Sequence, residues 1–391
     1  MRRPTPTLPA WINGIGAVTG YGWGRKHLWD GVMLGESAVV PQPGFSEFFD
    51  TDEVWLATID PAGGDPADGP SKFSRALHAA AREGIEDAHR RGWRPGPTVG
   101  LIHAFVLGEL HLWRDFYLER DRSLTRREYV ELMPSTTISN LMIEYGFHGP
   151  CMNVLAMCAS GNAALLTAKM WLDAGLADDV LVLATDVSVT PENVRHFVDL
   201  RVLVVDRPPF EACRPFQQGS RGFVGGEAAI SFVVSSRPDA AYVSLKGGAM
   251  SHDGHHAISL ATNPEQVRAC YEKALENAGV DASEIAYFNA HGPGTLQCDR
   301  VEGQLFDDLF PEAEGIFSVK PLAGHCQAAA AAVEGAVSCI GYQEGVIPAP
   351  TAVAPGHPRL LSGLVDRKPG ATFKSSIGMG GYNTAVILDE P

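Results

Sequence analysis

Two alanine-rich stretches restrict what this chain can fold into more than any other feature. Ala159–Ala174 and the run Gln327–Val333 carry little side-chain bulk, and each follows a residue of reactive type, Cys158 in one case and His325 in the other. Helices this poor in bulk can approach neighbouring backbones closely, so they suit the crowded centre of a layered protein. Around them, apolar runs alternate with segments of helical period. Ala10–Ala17, Thr98–Phe105, Asp179–Ala184 and Ala228–Ser235 read as strands buried on both faces. Lys72–Arg91, Asn162–Ala174, Pro264–Ala278 and Ala328–Glu344 read as helices. The alternation predicts α/β layering, and the recurrence of a reactive residue before a small-residue helix predicts one plan used twice. At 391 residues the chain is long enough for two domain-sized units. The break falls near Ser236–Ala241, which gives halves 1–238 and 239–391.

A formal net charge of −15 argues against a nucleic-acid binder, whose phosphate contacts need a basic face. No stretch approaches the roughly 18–20 uninterrupted apolar residues that span a bilayer, and the N-terminus MRRPTPTLPAWING lacks the apolar core of a secretion signal. Seven cysteines without CxxC pairs point to free thiols in a reducing compartment. The expectation is a cytoplasmic protein with no membrane and no nucleic-acid partner.

Five short segments carry the chemistry. Ala156-Met-Cys158-Ala-Ser-Gly161 lies between the strand-like Met152–Leu155 and a helix, where the helix dipole favours a thiolate. Asn289-Ala-His291-Gly-Pro-Gly-Thr295 follows the strand-like Ile285–Phe288, so His291 stands in a Gly-rich loop above a sheet. Ser318-Val-Lys320-Pro-Leu-Ala-Gly-His325 leads a strand-like run into a histidine and then the alanine-rich helix. A lysine buried there needs a carboxylate partner. Asp299 and Glu302 share one face of the next helix by their spacing of three, so one of them is placed to meet Lys320. Gly378-Met-Gly-Gly-Tyr-Asn383 offers backbone N–H groups unobstructed by side chains, as an oxyanion hole requires. Each segment has a plain structural reading when taken alone: a buried structural cysteine, loop histidines, a solvated helix turn, an ordinary glycine turn.

Together and in this order, the segments resemble the β-ketoacyl synthases of the thiolase superfamily, elongating type with a Cys-His-His active site. Cys213-Arg-Pro-Phe216, Gly222-Phe-Val-Gly-Gly-Glu227, Gly14–Gly22 and Met133–Met142 extend the resemblance over nearly the whole chain. It implies a thiolase-like five-layered αβαβα sandwich with two similar halves. It also implies a homodimer, or a heterodimer with a chain-length-factor-like subunit. Cys158 would take the acyl group, while His291 and His325 would bind the malonyl thioester, promote decarboxylation and stabilise the enolate. Lys320, paired with Glu302, would organise His325, and the N–H groups of Cys158 and Met379 would form the oxyanion hole. Thr295, Met379 and Gly380 would contact the substrate. No bound cofactor or metal is implied, since phosphopantetheine arrives on the acyl carrier protein. Arg126, Arg127, Lys72 and Arg201 are the candidates for docking that acidic partner, with Arg75 beside them.

The sequence also departs from the family pattern. Met379, preceded by Ile377, replaces the phenylalanine of the usual GFGG gate, and Pro293 removes a hydroxyl from the HGTxT pattern. Met157 replaces the usual alanine before the nucleophile, and Cys326 and Gln327 follow His325 where glycines are usual. These changes spare every catalytic group and suggest specialised polyketide or fatty-acid synthesis. Two alternatives remain beside the condensing enzyme. One is a synthase-fold acyltransferase that forms an ester or amide without decarboxylation. The other is a non-catalytic chain-length factor, which the presence of Cys158 disfavours.

Overall fold

Two sets of five strands have the same order and the same directions. They are seen in a computed structural model that describes residues 9–118, 123, 125–261 and 263–391, the side chains of Arg127 and Glu131 excepted. The first set is β1 (Ala10–Thr19), β2 (Val99–Ala104), β3 (Cys151–Val154), β4 (Asp179–Asp186) and β5 (Ala228–Ser235). The second is β6 (Val243–His252), β7 (Ile285–Asn289), β8 (Gly315–Phe317), β9 (Ala371–Gly378) and β10 (Tyr382–Asp389). Their spatial orders are β3-β2-β4-β5-β1 and β8-β7-β9-β10-β6. In each set the first three strands of that order run parallel and the remaining pairs are antiparallel. The weak repeat seen in the sequence is therefore a full repeat of topology. Among the described residues the sets join through β1 and β6, over the pairs Ala10↔Leu245, Trp11↔Ser244 and Ile12↔Val243.

Helices fill the space on both faces of each set. α1 (Lys72–Arg90) covers the outer face of the first sheet, packing Ala76, Leu77 and Ala80 against Leu101, Leu181 and Val233. The intervening residues Val180, Val182 and Ala184 of β4 point the other way, as the two-residue period of a strand demands. They meet α2 (Ser160–Asp173) and α5 (Ala330–Glu344), which share one core with Tyr287, Val386 and Leu388 of the second sheet. α3 (Glu265–Ala278) and α4 (Leu296–Leu309) close the far side against Phe288, Phe373 and Ile387. The layers thus run α, β, α, β, α.

The central helices touch where their residues are smallest. A Cβ at Gly161 would stand 2.8 Å from the Ala332 nitrogen. That closeness brings together the heads of α2 and α5, and with them the two reactive segments. α5 begins later than the predicted Ala328, because Gln327–Ala329 form a separate 3-10 turn. α2 instead begins at Ser160, ahead of the predicted Asn162 and directly after the 3-10 turn Met157–Ala159. No helix among the described residues is long and apolar enough to cross a membrane.

Candidate active site

Cys158 sits in the 3-10 turn that links β3 to α2. Met157, just before it, has φ 50°, a left-handed conformation that costs a residue with a Cβ about 1 kcal/mol. The bend is held by local bonds. Ala156 N donates to Ser160 Oγ at 2.8 Å, Ser160 Oγ donates to Met157 O at 2.6 Å, and Ser376 Oγ donates to Cys158 O at 2.9 Å. Cys158 as a whole residue is 8% exposed. Burial pushes its pKa up to about 11, against the N–H groups of Met379 and of Cys158 itself, which pull it down. The thiolate expected from the helix dipole is thus corrected: desolvation outweighs the dipole, and the resting group is a thiol.

His291 leaves the end of β7 and is fixed by its backbone. Its N–H donates to Glu302 Oε1 at 2.8 Å and to Ser375 Oγ at 3.1 Å, and Gly292 N donates to Glu302 Oε2 at 2.7 Å. Ser375 Oγ donates to Glu302 Oε1 at 2.5 Å. Glu302 is therefore the clamp of the His291 loop and not the partner of Lys320. Asp299 does the same job one turn earlier, accepting from Phe216 N and Gly294 N at 3.1 Å each. Both carboxylates do share one helical face, but that face is spent on backbone N–H groups and the Ser375 hydroxyl.

Lys320 opens a short helix (Lys320–Ala323) and pairs with Glu334 of α5. Its Nζ also donates to His291 O and lies 3.3 Å from His291 Nδ1. The lysine expected behind His325 thus stands behind His291. His325 Nδ1 instead accepts from Gln327 N at 3.0 Å. With both Nδ1 atoms facing donors, each ring carries its proton on Nε2. Burial, followed by the charge of Lys320, holds both rings well below the ordinary histidine range, so both are neutral. The two rings meet edge to face at 5.5 Å, and Cys158 Sγ and one nitrogen of each ring lie within 4.8 Å of one another. A nucleophile faces two neutral N–H donors.

A cavity of about 110 Å³ opens onto this trio, bordered by Met157, Pro293, Thr295 and Met379 and by apolar side chains that include Phe197, Val202, Ile258 and Leu260. Thr295 occupies the N-cap position of α4 without a side-chain cap bond. Gly380, with φ 90°, lies outside this lining, and a side chain there would meet the Ala257 carbonyl.

The basic candidates separate. Lys72 is corrected: its Nζ lies 2.6 Å from the buried Glu227 carboxylate, with 13% of the side chain exposed, so it is an internal partner and not a docking group. Arg75 donates to the carbonyls of Gly63 and Pro61 and staples that loop. Arg126 is exposed beside a surface cavity of about 570 Å³, and Arg201 is exposed next to Val202 of the active-site cavity. The side chain of Arg127 lies outside the described ones. Sequence reasoning missed Glu334 and Lys374, although each stood out, one as the lone acid in an alanine run and the other as a lysine in an apolar strand.

Residues 9–240 match the model of the β-ketoacyl synthase N-terminal domain, and residues 242–353 match that of its C-terminal domain. The chain belongs to the β-ketoacyl synthase family. As a β-ketoacyl synthase it shares 28% identity with the oxytetracycline polyketide putative β-ketoacyl synthase 1 of Streptomyces rimosus, covering 97% of this chain and 96% of that one. A nodulation protein E of Rhizobium sp. (strain N33) is 29% identical over 87% of both chains. The 3-oxoacyl-[acyl-carrier-protein] synthase 2 of Staphylococcus aureus is 25% identical over 96% of this chain and all of its own. Among solved structures, a chain from a type II polyketide acyl carrier protein in complex with its ketosynthase superposes with a TM-score of 0.86 at 21% identity, covering 98% of this synthase and 100% of that chain. A ketosynthase in complex with its chain length factor from Xenorhabdus doucetiae gives 0.82 at 21% identity, covering all of both chains. The fold is thus the thiolase-like α/β fold, and the synthase is an enzyme of carbon–carbon condensation.

Proposed function

We propose that this synthase condenses an acyl group held on Cys158 with malonyl carrier protein, in polyketide or specialised fatty-acid synthesis. The observation that carries the proposal is the placement of the Cys158 sulfur within 4.8 Å of one nitrogen of each of two histidines, all three lining one cavity, with both Nδ1 atoms facing donors so that Nε2 holds the proton. In the first step the sulfur attacks the acyl thioester, and the thiol proton leaves on the released phosphopantetheine sulfur. The tetrahedral oxyanion is held by the N–H groups of Cys158 and Met379. Malonyl thioester then binds with its carbonyl oxygen on His291 and His325. Loss of carbon dioxide leaves the electron pair as an enolate, whose charge develops on that oxygen. The enolate carbon attacks the acyl-cysteine carbonyl, Cys158 leaves and regains a proton, and the product is two carbons longer. Holding thioester and enolate together can contribute about 7–11 kcal/mol. Thr295 and Met379 line the approach of the pantetheine arm.

Arg126 and Arg201, with Arg127, are the groups we assign to carrier-protein docking, on the exposure of the first two. A dimeric assembly, with a second copy or with a chain-length-factor-like subunit, is supported by β3. This strand ends the first sheet without a further partner among the described residues and exposes Cys151, Met152 and the following Leu155. Apolar sheet edges of this kind need a cover. We divide the chain into halves 1–238 and 239–391, on the repeat of strand order. A reducing, cytoplasmic setting agrees with seven unpaired cysteines.

Mass spectrometry after incubation with acyl- and malonyl-carrier proteins tests the proposal. The expected result is an acyl adduct on Cys158, carbon dioxide release and a two-carbon-longer product. Acylation without decarboxylation, where a control synthase is active, would favour transfer to an amine or alcohol acceptor and overturn it.

A further inference from the structure

Behind the active site lies an ammonium group that no step above uses. Lys374 is completely buried on β9, between Phe373, which faces the α3 and α4 side, and Ser375, which binds Glu302. Its Nζ lies 2.6 Å from Glu334 Oε2 and donates to the Ser375 carbonyl. The other oxygen, Oε1, takes Lys320, and Lys320 reaches His291 through both its carbonyl and Nδ1. All three charged side chains are at most 1% exposed. Glu334 is further tied at its backbone, where its carbonyl accepts from Asn289 Nδ2 at 3.1 Å.

Glu334 alone faces two ammonium groups, while the other buried carboxylate nearby, Glu302, is bonded to backbone N–H groups and to Ser375 Oγ. Burial lowers the pKa of Lys374, and the charges of Glu334 and Glu302 support its ammonium against that burial. A second lysine buried on one carboxylate is unfavourable unless its contacts compensate or it serves something. Two features show what it serves. The chain Lys374–Glu334–Lys320 ends on the histidine ring that faces the substrate, and a carboxylate bound at both oxygens cannot rotate. We propose that Lys374 is a positioning residue for the condensation: by holding Oε2 of Glu334 it fixes Oε1 on Lys320, and through Lys320 it holds the His291 ring with Nε2–H toward the substrate. The proposal rests on the condensation reading of the site. The charge of Lys374 also adds to the causes that press His291 below its ordinary range, after burial, Lys320 and His325.

The test uses the full chain with Lys374→Met and Lys374→Gln. The first leaves a balanced Lys320–Glu334 pair, and the second keeps a hydrogen bond without the charge. Carbon dioxide release from malonyl carrier protein is followed against pH, with acyl loading on Cys158 read by mass spectrometry in the same samples. The expected result is unchanged loading, a fall in decarboxylation kcat of about tenfold and an unchanged KM for malonyl carrier protein. The acid limb should move to higher pH, because His291 loses a repelling charge and takes up its inactivating proton sooner. Folded variants with the wild-type rate and the wild-type acid limb would overturn the proposal. So would a parallel loss of loading and decarboxylation, or failure of both variants to fold, since either makes Lys374 a plain structural residue. A wild-type protein that releases no carbon dioxide would contradict the proposed function instead. In that event titration of the His291 ring by ¹⁵N NMR in wild type and Lys374→Gln still decides the role of Lys374, which fails if the two titrate alike.

Discussion

In the first half, β3 runs into a 3-10 turn whose first residue, Met157, has φ 50°, and α2 follows. In the second half, Gln327 with φ 43° opens the turn Gln327–Ala329, and α5 follows. The fourth strand of each half braces the turn of the other. Ser376, on β9, donates its hydroxyl to the Cys158 carbonyl, whereas Asp186, on β4, accepts from the Ala328 amide at 3.3 Å. That difference is chemical. The first turn is held through a carbonyl, so the Cys158 amide stays free to face the sulfur and any oxyanion formed beside it. The second turn has Ala328 where the first has Cys158, and its amides are taken up, that of Ala328 by Asp186 of the other half and that of Gln327 by His325 Nδ1. One backbone device thus serves as a nucleophile turn in one half and as a histidine holder in the other.

The largest effect belongs to Cys158→Ala, which should abolish acyl loading. Adding Ala328→Cys to that variant should not restore it, because the amide there is already bonded to Asp186. An acyl adduct at position 328 by peptide mass mapping would mean that the two turns are interchangeable. Next is His325→Ala, expected to lower decarboxylation by about 10²–10³-fold while acyl loading persists. Retention of both activities would remove the second turn from the chemistry. The same experiment on wild type across pH carries a sign. Both histidines are held below their ordinary range and act as neutral donors, so the main acid fall in rate should lie below the free-histidine value. It should be preceded only by a smaller change as Asp186, pushed up to about 7 by burial, gains its proton. A midpoint at the free-histidine value would contradict the burial argument.

Asp186→Asn should have a smaller effect, about tenfold on decarboxylation with little on loading, since it acts on His325 only through the turn. Equal losses in the two assays would place Asp186 in general packing. Smallest are Met157→Gly and Gln327→Gly. Each relieves a left-handed residue and should add up to about 1 kcal/mol to the unfolding free energy, measured by denaturant titration. Both side chains border the active-site cavity, and the larger change in acyl loading should come from Met157, which adjoins Cys158.

Much of this was legible in the sequence, for definite reasons. Ala228–Ser235 coincides with its predicted strand because an unbroken apolar run between turn residues leaves few other options. The alanine-rich helices marked the centre of the molecule because bulk is a local property. What was not legible depends on contacts between distant elements. Helical spacing put Asp299 and Glu302 on one face but could not say that the face meets backbone amides rather than Lys320. Glu334 and Lys374 lay unnoticed in apolar surroundings, since only the fold sets them on either side of one ion-pair chain. The ionisation of Cys158 was misjudged because the dipole is readable from a helix start and burial is not.

The division of labour between the halves is tested most directly by giving malonyl carrier protein to Cys158→Gln, whose amide mimics the acylated turn. The account predicts sustained carbon dioxide release without acyl loading and without a condensed product, because the second half holds both histidines. No release from this variant, with the protein folded and a control synthase active, would contradict it.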